Sequence, residues 1–495
     1  MTSAPGRLAT ELLVIDDIGP PRRSRAHRPA GLAWLWLLPT LALVGGLIAW
    51  PAVQTLYASA LSTAGGLAGV GNYRSVLRDP QLWVTLRNTS VWALGVPLLV
   101  VVLGYAIAVL SRDIRLARVR TLVLAPMALP LVVIGVAFRL LYDPSPELGP
   151  ATALLHAAAG MVGVKSVDVP HLLGPSLVLA SLVSAFVWTW MGIAVIMFRA
   201  ALDAIPHEIE DGARAAGASR VRLLIDVQWP FLRRVAGVLV LLLAVAASRT
   251  FDLVLVMVPG SVQDEAEVLS LYVLRQSAVQ QPGEAAAVSV VWLLVVVVGV
   301  LLAVRWTRHE WPWPAGGRRP LVTTAVSPGR LGRIRPAARL VRRGILGATL
   351  VVFTFPLLLL CLTALHQPTD AAVRGWWAPL SWASFGELAE AEVWAALAPT
   401  AAMALLVTAI VVVLAALAAY AMAWFDLPGD QAMTVGLLGA AVMPLQVVAG
   451  RLYDVVSPLH GYGTAVLLGV VHVGFGLPFV VLVLRNAFGA VPADR

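Results

Sequence analysis

Ten apolar runs, each close to the ~20 residues that a helix needs to cross a bilayer, constrain the fold of this chain most strongly. Hydrophobic residues make up 59% of the chain and charged residues only 13%, which excludes a soluble globular protein of 495 residues. The sequence therefore predicts an all-α, polytopic helical membrane protein with about ten transmembrane helices. The runs occupy residues 32–57, 88–110, 119–141, 175–198, 235–257, 285–305, 344–365, 396–420, 432–455 and 465–485.

Arginines outside the runs predict how the chain lies in the membrane, because cytoplasmic loops carry an excess of Lys and Arg. Four arginines lie between residues 22 and 28, four lie at 111–120, and nine lie at 306–343. We expect residues 1–31 to form a cytoplasmic tail. These loops account for the net charge of +9, so no nucleic-acid partner is predicted.

Two halves of the sequence repeat each other. The motif GYAIA at 104–108 recurs as AYAMA at 419–423, and Pro130 with the residues after it recurs at Pro444. Tandem membrane repeats of this kind form a path at their interface. We therefore predict a first domain of six helices at 32–305, a linker rich in Arg, Pro and Gly at 306–343, and a second domain of four helices at 344–495.

The second half has two runs fewer than the first. A complete repeat would give six plus six helices, whereas this sequence gives six plus four. Three explanations stay open: the sequence is truncated, another polypeptide supplies the remainder, or the second half lacks it.

The longest charged and amphipathic passage between two apolar runs is Asp203–Arg234, on the predicted cytoplasmic side. We expect a short helix with Asp203 as its cap and Pro206 in its first turn, a stop at Gly217, and a second helix capped by Ser219. The first helix has an apolar face, at Ile205, Ile209 and Ala213, and a group of acids, at Glu208, Glu210 and Asp211. This pattern predicts a docking element that displays an apolar and small-residue face.

The alternative is an amphipathic helix that lies flat on lipid. Such helices carry Lys or Arg on their polar face, whereas this one carries acids that anionic lipid repels. The charge pattern therefore favours a protein partner.

At this point the sequence resembles a known family. The cytoplasmic signature of that family reads E-A-A, three residues, G, nine residues, then I-x-L-P. Here the same spacing joins Asp211-Gly212-Ala213, Gly217 and Val227-Gln228-Trp229-Pro230, with Asp for Glu, Gly for the first Ala and Trp for Leu. The chain thus resembles the permease subunits of binding-protein-dependent ATP-binding-cassette importers, in particular the carbohydrate-uptake family related to maltose and glycerol-phosphate permeases.

The resemblance implies an importer of sugars or oligosaccharides in a bacterial inner or plasma membrane, with two permeases fused in one chain. It implies as partners a dimer of cytoplasmic ATP-binding-cassette ATPases, an extracytoplasmic sugar-binding protein and, if the second half is completed from outside, another permease chain. The signature helix of such importers sits in a cleft of the ATPase, so the resemblance implies that the apolar face enters this cleft while the acids pair with basic residues at its rim. The coupling motif carried over is Glu208, Glu210, Asp211, Gly212, Ala213, Gly217, Val227 and Pro230.

No residues suggest an enzyme or a cofactor. A phosphate-binding loop ends in G-K-[ST], and the only lysine, Lys165, follows a valine. ATP hydrolysis is therefore expected from partner subunits. The histidines are scattered and Cys361 is the only cysteine, so no metal site is predicted.

The residues that contact a substrate are harder to find. Trp188 and Trp190 lie near the middle of the fourth run, with Ser184 one turn earlier, and aromatic faces with hydroxyl groups suit a sugar. The alternative is ordinary helix packing. Other functions also stay open: an importer of peptides, amino acids or polyamines, or an ion-coupled secondary transporter.

Overall fold

The computed structural model of the chain describes residues 30–62, 66–112, 123–163, 169–248, 250–278, 282–307, 336–366, 379–390, 393–456, 458, 465–489 and 491. Within these residues the regular elements are helices, apart from one isolated bridge between Leu61 and Leu67. The predicted all-α fold is therefore confirmed. Most of the predicted tail and the middle of the predicted linker lie outside the described residues.

Besides two short 3₁₀ helices at Ala125–Ala128 and Gly260–Val262, the first half contains twelve helices within the described residues. They are α1 (Gly31–Ala58), α2 (Gly71–Arg78), α3 (Pro80–Leu110), α4 (Leu131–Leu141), α5 (Pro150–Met161), α6 (Val178–Asp203), α7 (His207–Ala215), α8 (Arg220–Arg233), α9 (Val235–Ser248), α10 (Asp252–Met257), α11 (Leu269–Ala278) and α12 (Pro282–Thr307). The second half adds six among the described residues: α13 (Pro336–Ala364), α14 (Ala383–Glu390), α15 (Val393–Trp424), α16 (Asp430–Val442), α17 (Leu445–Val456) and α18 (Ala465–Gly489).

Six of the described helices, α1, α3, α6, α13, α15 and α18, are long and apolar enough to cross a membrane. Two bent pairs, α8 with α9 at 61° and α16 with α17 at 98°, raise the number to as many as eight. The remaining two of the ten predicted spans correspond to shorter apolar helices, α4 and part of α12. The third predicted span is shortened because Pro130 has extended backbone with ψ of 143°, so that α4 begins only at Leu131.

The core of the first half is built where α6 packs on α3. A Cβ atom on Gly104 of α3 would lie 2.6 Å from the Cβ of Ala194, and one on Gly192 would overlap the backbone carbonyl oxygen of Val123. Small residues therefore let the helices approach closely, as in other membrane bundles.

The recurring sequence motifs occupy corresponding helices in the two halves. In the second half α18 packs on α15 as α6 packs on α3. The tyrosine of each repeated motif stacks in an aromatic cluster, Tyr105 with Phe198 at 5.7 Å and Tyr420 with Phe488 at 5.9 Å between ring centroids.

The first helix of each half packs against the other half. Helix α1 contacts α15 and α18, where Trp36 meets Tyr420 with ring centroids 5.5 Å apart. Helix α13 contacts α3 and α4, and its residues Phe353 and Leu359 join the buried core of the first half. The two halves therefore exchange their first helices.

Candidate functional site

The docking stretch begins where α6 ends. Asp203 is the last residue of α6 and pairs with Arg199 at 3.6 Å, so the prediction that it caps the next helix is wrong. Pro206 instead precedes α7, with extended backbone at ψ 132°. A residue with no N–H and a fixed φ suits this position, where a helical donor has no partner.

The end of α7 is as predicted. Gly217 has φ of +83°, a left-handed conformation that costs other residues about 1–2 kcal/mol. The N–H of Gly217 donates to the carbonyl of Arg214 at 3.0 Å, which closes the last turn. Ser219 then caps α8, because its hydroxyl accepts from the N–H of Arg222 at 3.3 Å.

The rest of the predicted motif lies in α8. A π-helical segment at Leu223–Gln228 widens this helix and includes Val227. Pro230 follows in the next turn, and both Val227 and Pro230 are half-buried. Helix α9 then turns away from α8 by 61°.

The exposed surface of α7 carries acidic side chains and a glycine. Glu208 and Asp211 are exposed, together with Gly212, where a Cβ atom would meet nothing within 4 Å. Asp211 is held by Arg214, whose Nη1 lies 2.8 Å from its carboxylate. These residues are therefore open to solvent at the surface of the chain.

The predicted apolar face is covered in part. Ile205, which precedes α7, is only 3% exposed and belongs to the core of the first half. Ile209 and Ala213 are half-buried. Ile205 is therefore not available to a partner, because this end of the stretch packs on the first half, whereas contact of Ile209 and Ala213 with a partner's cleft stays a prediction.

Glu210 is also turned inward, contrary to the prediction that it lies at the rim. Its side chain is 2% exposed, and its carboxylate is 2.5 Å from Nη1 of Arg112. Gln228 donates to the same carboxylate oxygen at 3.0 Å, and Arg214 lies 3.3 Å from the other oxygen. A signal was present in the sequence, since Glu210 directly follows Ile209 and precedes Ala213 by one helical turn.

Two residues that sequence analysis did not assign to the site complete it. Arg112, just after α3, also donates to the carbonyl of Leu202 at 3.2 Å. Tyr105 donates to the carbonyl of Leu224 at 3.1 Å. The site thus joins α7 to the ends of α3 and α6 and to the π-helical segment of α8.

The three candidate substrate residues have different surroundings. The hydroxyl of Ser184 lies 2.6 Å from the hydroxyl of Tyr142, and the indole N–H of Trp188 donates to the carbonyl of Val352 at 3.0 Å. The indole N–H of Trp190 is buried with no acceptor among the described residues. A role in substrate binding stays a prediction, and Trp190 is the residue with an N–H available for it.

A second polar cluster lies at the opposite end of α3. Asn88 donates to the carbonyls of Glu265 and Glu267, at 2.8 and 3.0 Å. The side chain of Glu267 is fully buried, where Gln81 donates to it at 2.9 Å and Arg275 lies 3.0 Å away. Burial raises the pKa of Glu267 above its usual value.

No metal site is found in the described part of the chain, which contains no group of three or more His, Cys, Asp or Glu side chains able to hold an ion. Cys361 is exposed on α13. Lys165 lies outside the described residues.

Comparison with known proteins concerns the first half. Residues 83–309 match the family model described as binding-protein-dependent transport system inner membrane component. The first half of this chain is therefore similar to the members of that family. The matched residues include the whole of α7 and α8, and therefore the complete docking stretch.

Curated relatives are permeases as well. The osmoprotective compounds uptake permease GgtC of Synechocystis is 24% identical, over 55% of this chain and 97% of the relative. The alpha-glucoside transport system permease AglF of Rhizobium meliloti is 25% identical, over 56% of this chain and 82% of the relative. The arabinooligosaccharides transport system permease AraP of Halalkalibacterium halodurans is 26% identical, over 50% and 79% respectively.

Proposed function

We propose that this chain is the membrane-spanning permease of an ATP-driven importer of sugars or oligosaccharides. Substrate passes from an extracytoplasmic binding protein to the cytoplasm by alternating access in a bacterial inner or plasma membrane, with the N-terminus inside. The permease family of residues 83–309 supports the importer, and the names of AglF and AraP support the substrate class. Orientation rests on the arginine-rich loops.

The observation that carries this proposal is the exposed acidic surface of α7, directly beside the ends of α3 and α6. Glu208 and Asp211 offer carboxylates to a basic partner, and Gly212 lets another backbone come close. The only lysine of the chain is not in a phosphate-binding loop, so ATP hydrolysis is expected from partner subunits. We assign the exposed surface of α7 to the dimer of these cytoplasmic ATPases.

We further propose that the two halves form one pathway. The exchanged helices α1 and α13 support two permease domains at 32–305 and 344–495, joined by the linker at 306–343. Thr55 of α1 donates to the carbonyl of Val447 in α17 at 3.1 Å, which adds a direct polar contact between the halves.

The second half has a wide uncovered face on α15. Leu82 of α3 is fully buried in a cluster with Tyr272 and Trp292, whereas Leu397, at the matching position of α15, is 51% exposed. The residues that cover Leu82 belong to α11 and α12. We propose that equivalent helices of another permease chain cover α15 in the working transporter.

Uptake into reconstituted vesicles tests the proposed function. The permease, its ATPase and its binding protein are combined, and a panel of labelled sugars is offered with and without ATP. We expect ATP-dependent accumulation of one class of sugar. ATP-dependent uptake of peptides, amino acids or polyamines alone would refute the sugar assignment. Uptake driven by an ion gradient without ATP would refute the importer.

A further inference from the structure

The docking helix α7 is tied to the membrane-spanning helices through one buried carboxylate. Glu210 is the buried acid of α7, whereas Glu208 and Asp211 are exposed. Its oxygens are contacted by three side chains that come from three places in the chain. Arg112 follows α3, Arg214 lies on α7 itself, and Gln228 ends the π-helical segment.

The acidic residues of α7 therefore face in two directions, outward to solvent and inward to the other helices. Glu208 and Asp211 face outward, where a partner can reach them. The carboxylate of Glu210 is removed from solvent, and a buried charge is tolerated only when it is paired and hydrogen-bonded. Displacing α7 away from Arg112 and Gln228 would leave charged and polar groups buried without partners, so the contact resists separation.

The contacts continue from Glu210 into the spanning helices. Arg112 also binds the carbonyl of Leu202 near the end of α6, at 3.2 Å. The hydroxyl of Tyr105 on α3 lies 3.4 Å from Gln228 and donates to Leu224 at 3.1 Å. Glu210 thus contacts Arg112 after α3 and Gln228 of α8 directly, and it is linked to the end of α6 through Arg112.

We propose that Glu210 is a positioning residue that makes α7 and the adjacent ends of α3 and α6 one rigid body. A displacement of α7 by its partner is then passed to the helices that line the permease. This inference rests on the proposed function of α7 as the ATPase-docking element. It assigns to Glu210 the transmission of movement, and to Glu208 and Asp211 the contact with the partner.

Substitution of Glu210 tests whether this residue transmits the movement of α7 without taking part in the contact with the ATPase. The complete transporter is assembled in vesicles with the permease variant E210Q, which keeps the size of the side chain but removes its charge. We expect the ATPase to co-purify as with the wild type and to keep at least about half of its hydrolysis rate, while solute uptake per ATP falls about tenfold or more. The control D454N removes an exposed ion pair with Arg451, 2.9 Å apart, and should leave uptake per ATP unchanged.

Two outcomes would overturn the proposal: unchanged uptake per ATP in E210Q, or a loss of ATPase association that accounts for the whole defect. Failure of the wild-type permease to bind an ATPase would instead refute the proposed function. The exchange variant R112E/E210R restores a pair of opposite charges, and we expect it to recover at least about half of the uptake per ATP that E210Q loses.

A covalent bridge tests rigidity without relying on the ion pair. In R112C/E210C, made on a C361S background because Cys361 is the only natural cysteine, a bifunctional thiol reagent joins the two positions. We expect the unbridged variant to hydrolyse ATP with little uptake and the bridged one to regain uptake. If bridging blocks uptake while the ATPase stays bound, the two positions must separate during transport and the proposal is wrong.

Discussion

Trp188 of α6 donates its indole N–H to the backbone carbonyl of Val352 in α13, 164 residues later in the chain, at 3.0 Å. The ring also packs edge-on against Phe138, with centroids 5.3 Å apart. The bond joins the core of the first half to the first helix of the second half. Trp188 therefore has a defined structural role, whatever the substrate is.

Replacing Trp188 by Phe should weaken the contact between the halves. The variant keeps most of the apolar surface but loses one hydrogen bond, which contributes about 1 kcal/mol. Thermal unfolding in detergent should show a lower midpoint than the wild type. Trp394→Phe is the matched control, because Trp394 is exposed on α15 and its replacement should change little. Equal midpoints for W188F and wild type would contradict the prediction.

The two halves should stay together after the chain is cut between them. A protease site inserted after Arg319 lies in the linker, and cleavage there leaves α1 seated on α15 and α18 and α13 seated on α3 and α4. We expect both fragments to co-purify in mild detergent. Fragments that separate at once would contradict the exchange of first helices.

Close packing of α6 leaves no room for a side chain at Gly192. A methyl group there would overlap the carbonyl oxygen of Val123, so Gly192→Ala must displace one segment from the other. Overpacking of this kind costs about 1–3 kcal/mol. The free energy of unfolding should fall accordingly, whereas Gly436→Ala, at a helical position with open space, should leave it nearly unchanged.

The turn at Gly217 should be sensitive to backbone conformation rather than to volume. Gly217→Val requires a β-branched residue at φ of +83°, which is strained by at least about 1–2 kcal/mol. Gly217→Asn is the matched control, because asparagine adopts left-handed backbone more readily. We expect the valine variant to bind the ATPase much more weakly, with normal membrane insertion, and the asparagine variant to bind close to normally. Equal binding by both variants would argue against a role for this turn.

The acidic surface of α7 should determine the salt dependence of docking. Asp211→Asn removes an exposed carboxylate, so we expect weaker ATPase association at low salt and a smaller loss of binding as salt is added. Binding measured across a salt series checks this. Membrane insertion of the variant should be normal, and co-purification identical to wild type at every salt concentration would exclude a contact at Asp211.

The buried Glu267 should make the N-terminal end of α3 less stable as pH rises. Its pKa in the folded protein is raised by burial, above the value of about 4.3 in an unfolded chain. Between these two pKa values the folded state binds more protons, so stability is highest below about pH 4.3 and falls as pH rises through the folded pKa. Unfolding midpoints measured against pH should show this decline in the wild type, and E267Q should lack that part of it.

Sequence reasoning recovered the features that local chemistry determines. The membrane class follows from apolar runs, the turn from Gly217, and the second cap from Ser219. It failed for side chains whose orientation depends on tertiary contacts. Ile205 and Glu210 face inward because the stretch that contains them packs on the ends of other helices. It also missed Arg112, since only the fold brings this residue, 98 positions earlier in the chain, to Glu210. Composition alone also cannot show that Pro130 divides the third apolar run, so that α4 is shorter than the predicted span.

The exchange of α1 and α13 has a consequence for biogenesis. Helix α1 is made before α15 and α18, which receive it, and exposes an apolar surface until they arrive, whereas α3 and α4 are made before α13 and expose the surface on which it packs. Linkage in one polypeptide keeps the counterpart nearby at an effective concentration on the order of millimolar. It also fixes the ratio of the two halves at one to one during translation, and thereby favours correct pairing over pairs of identical halves.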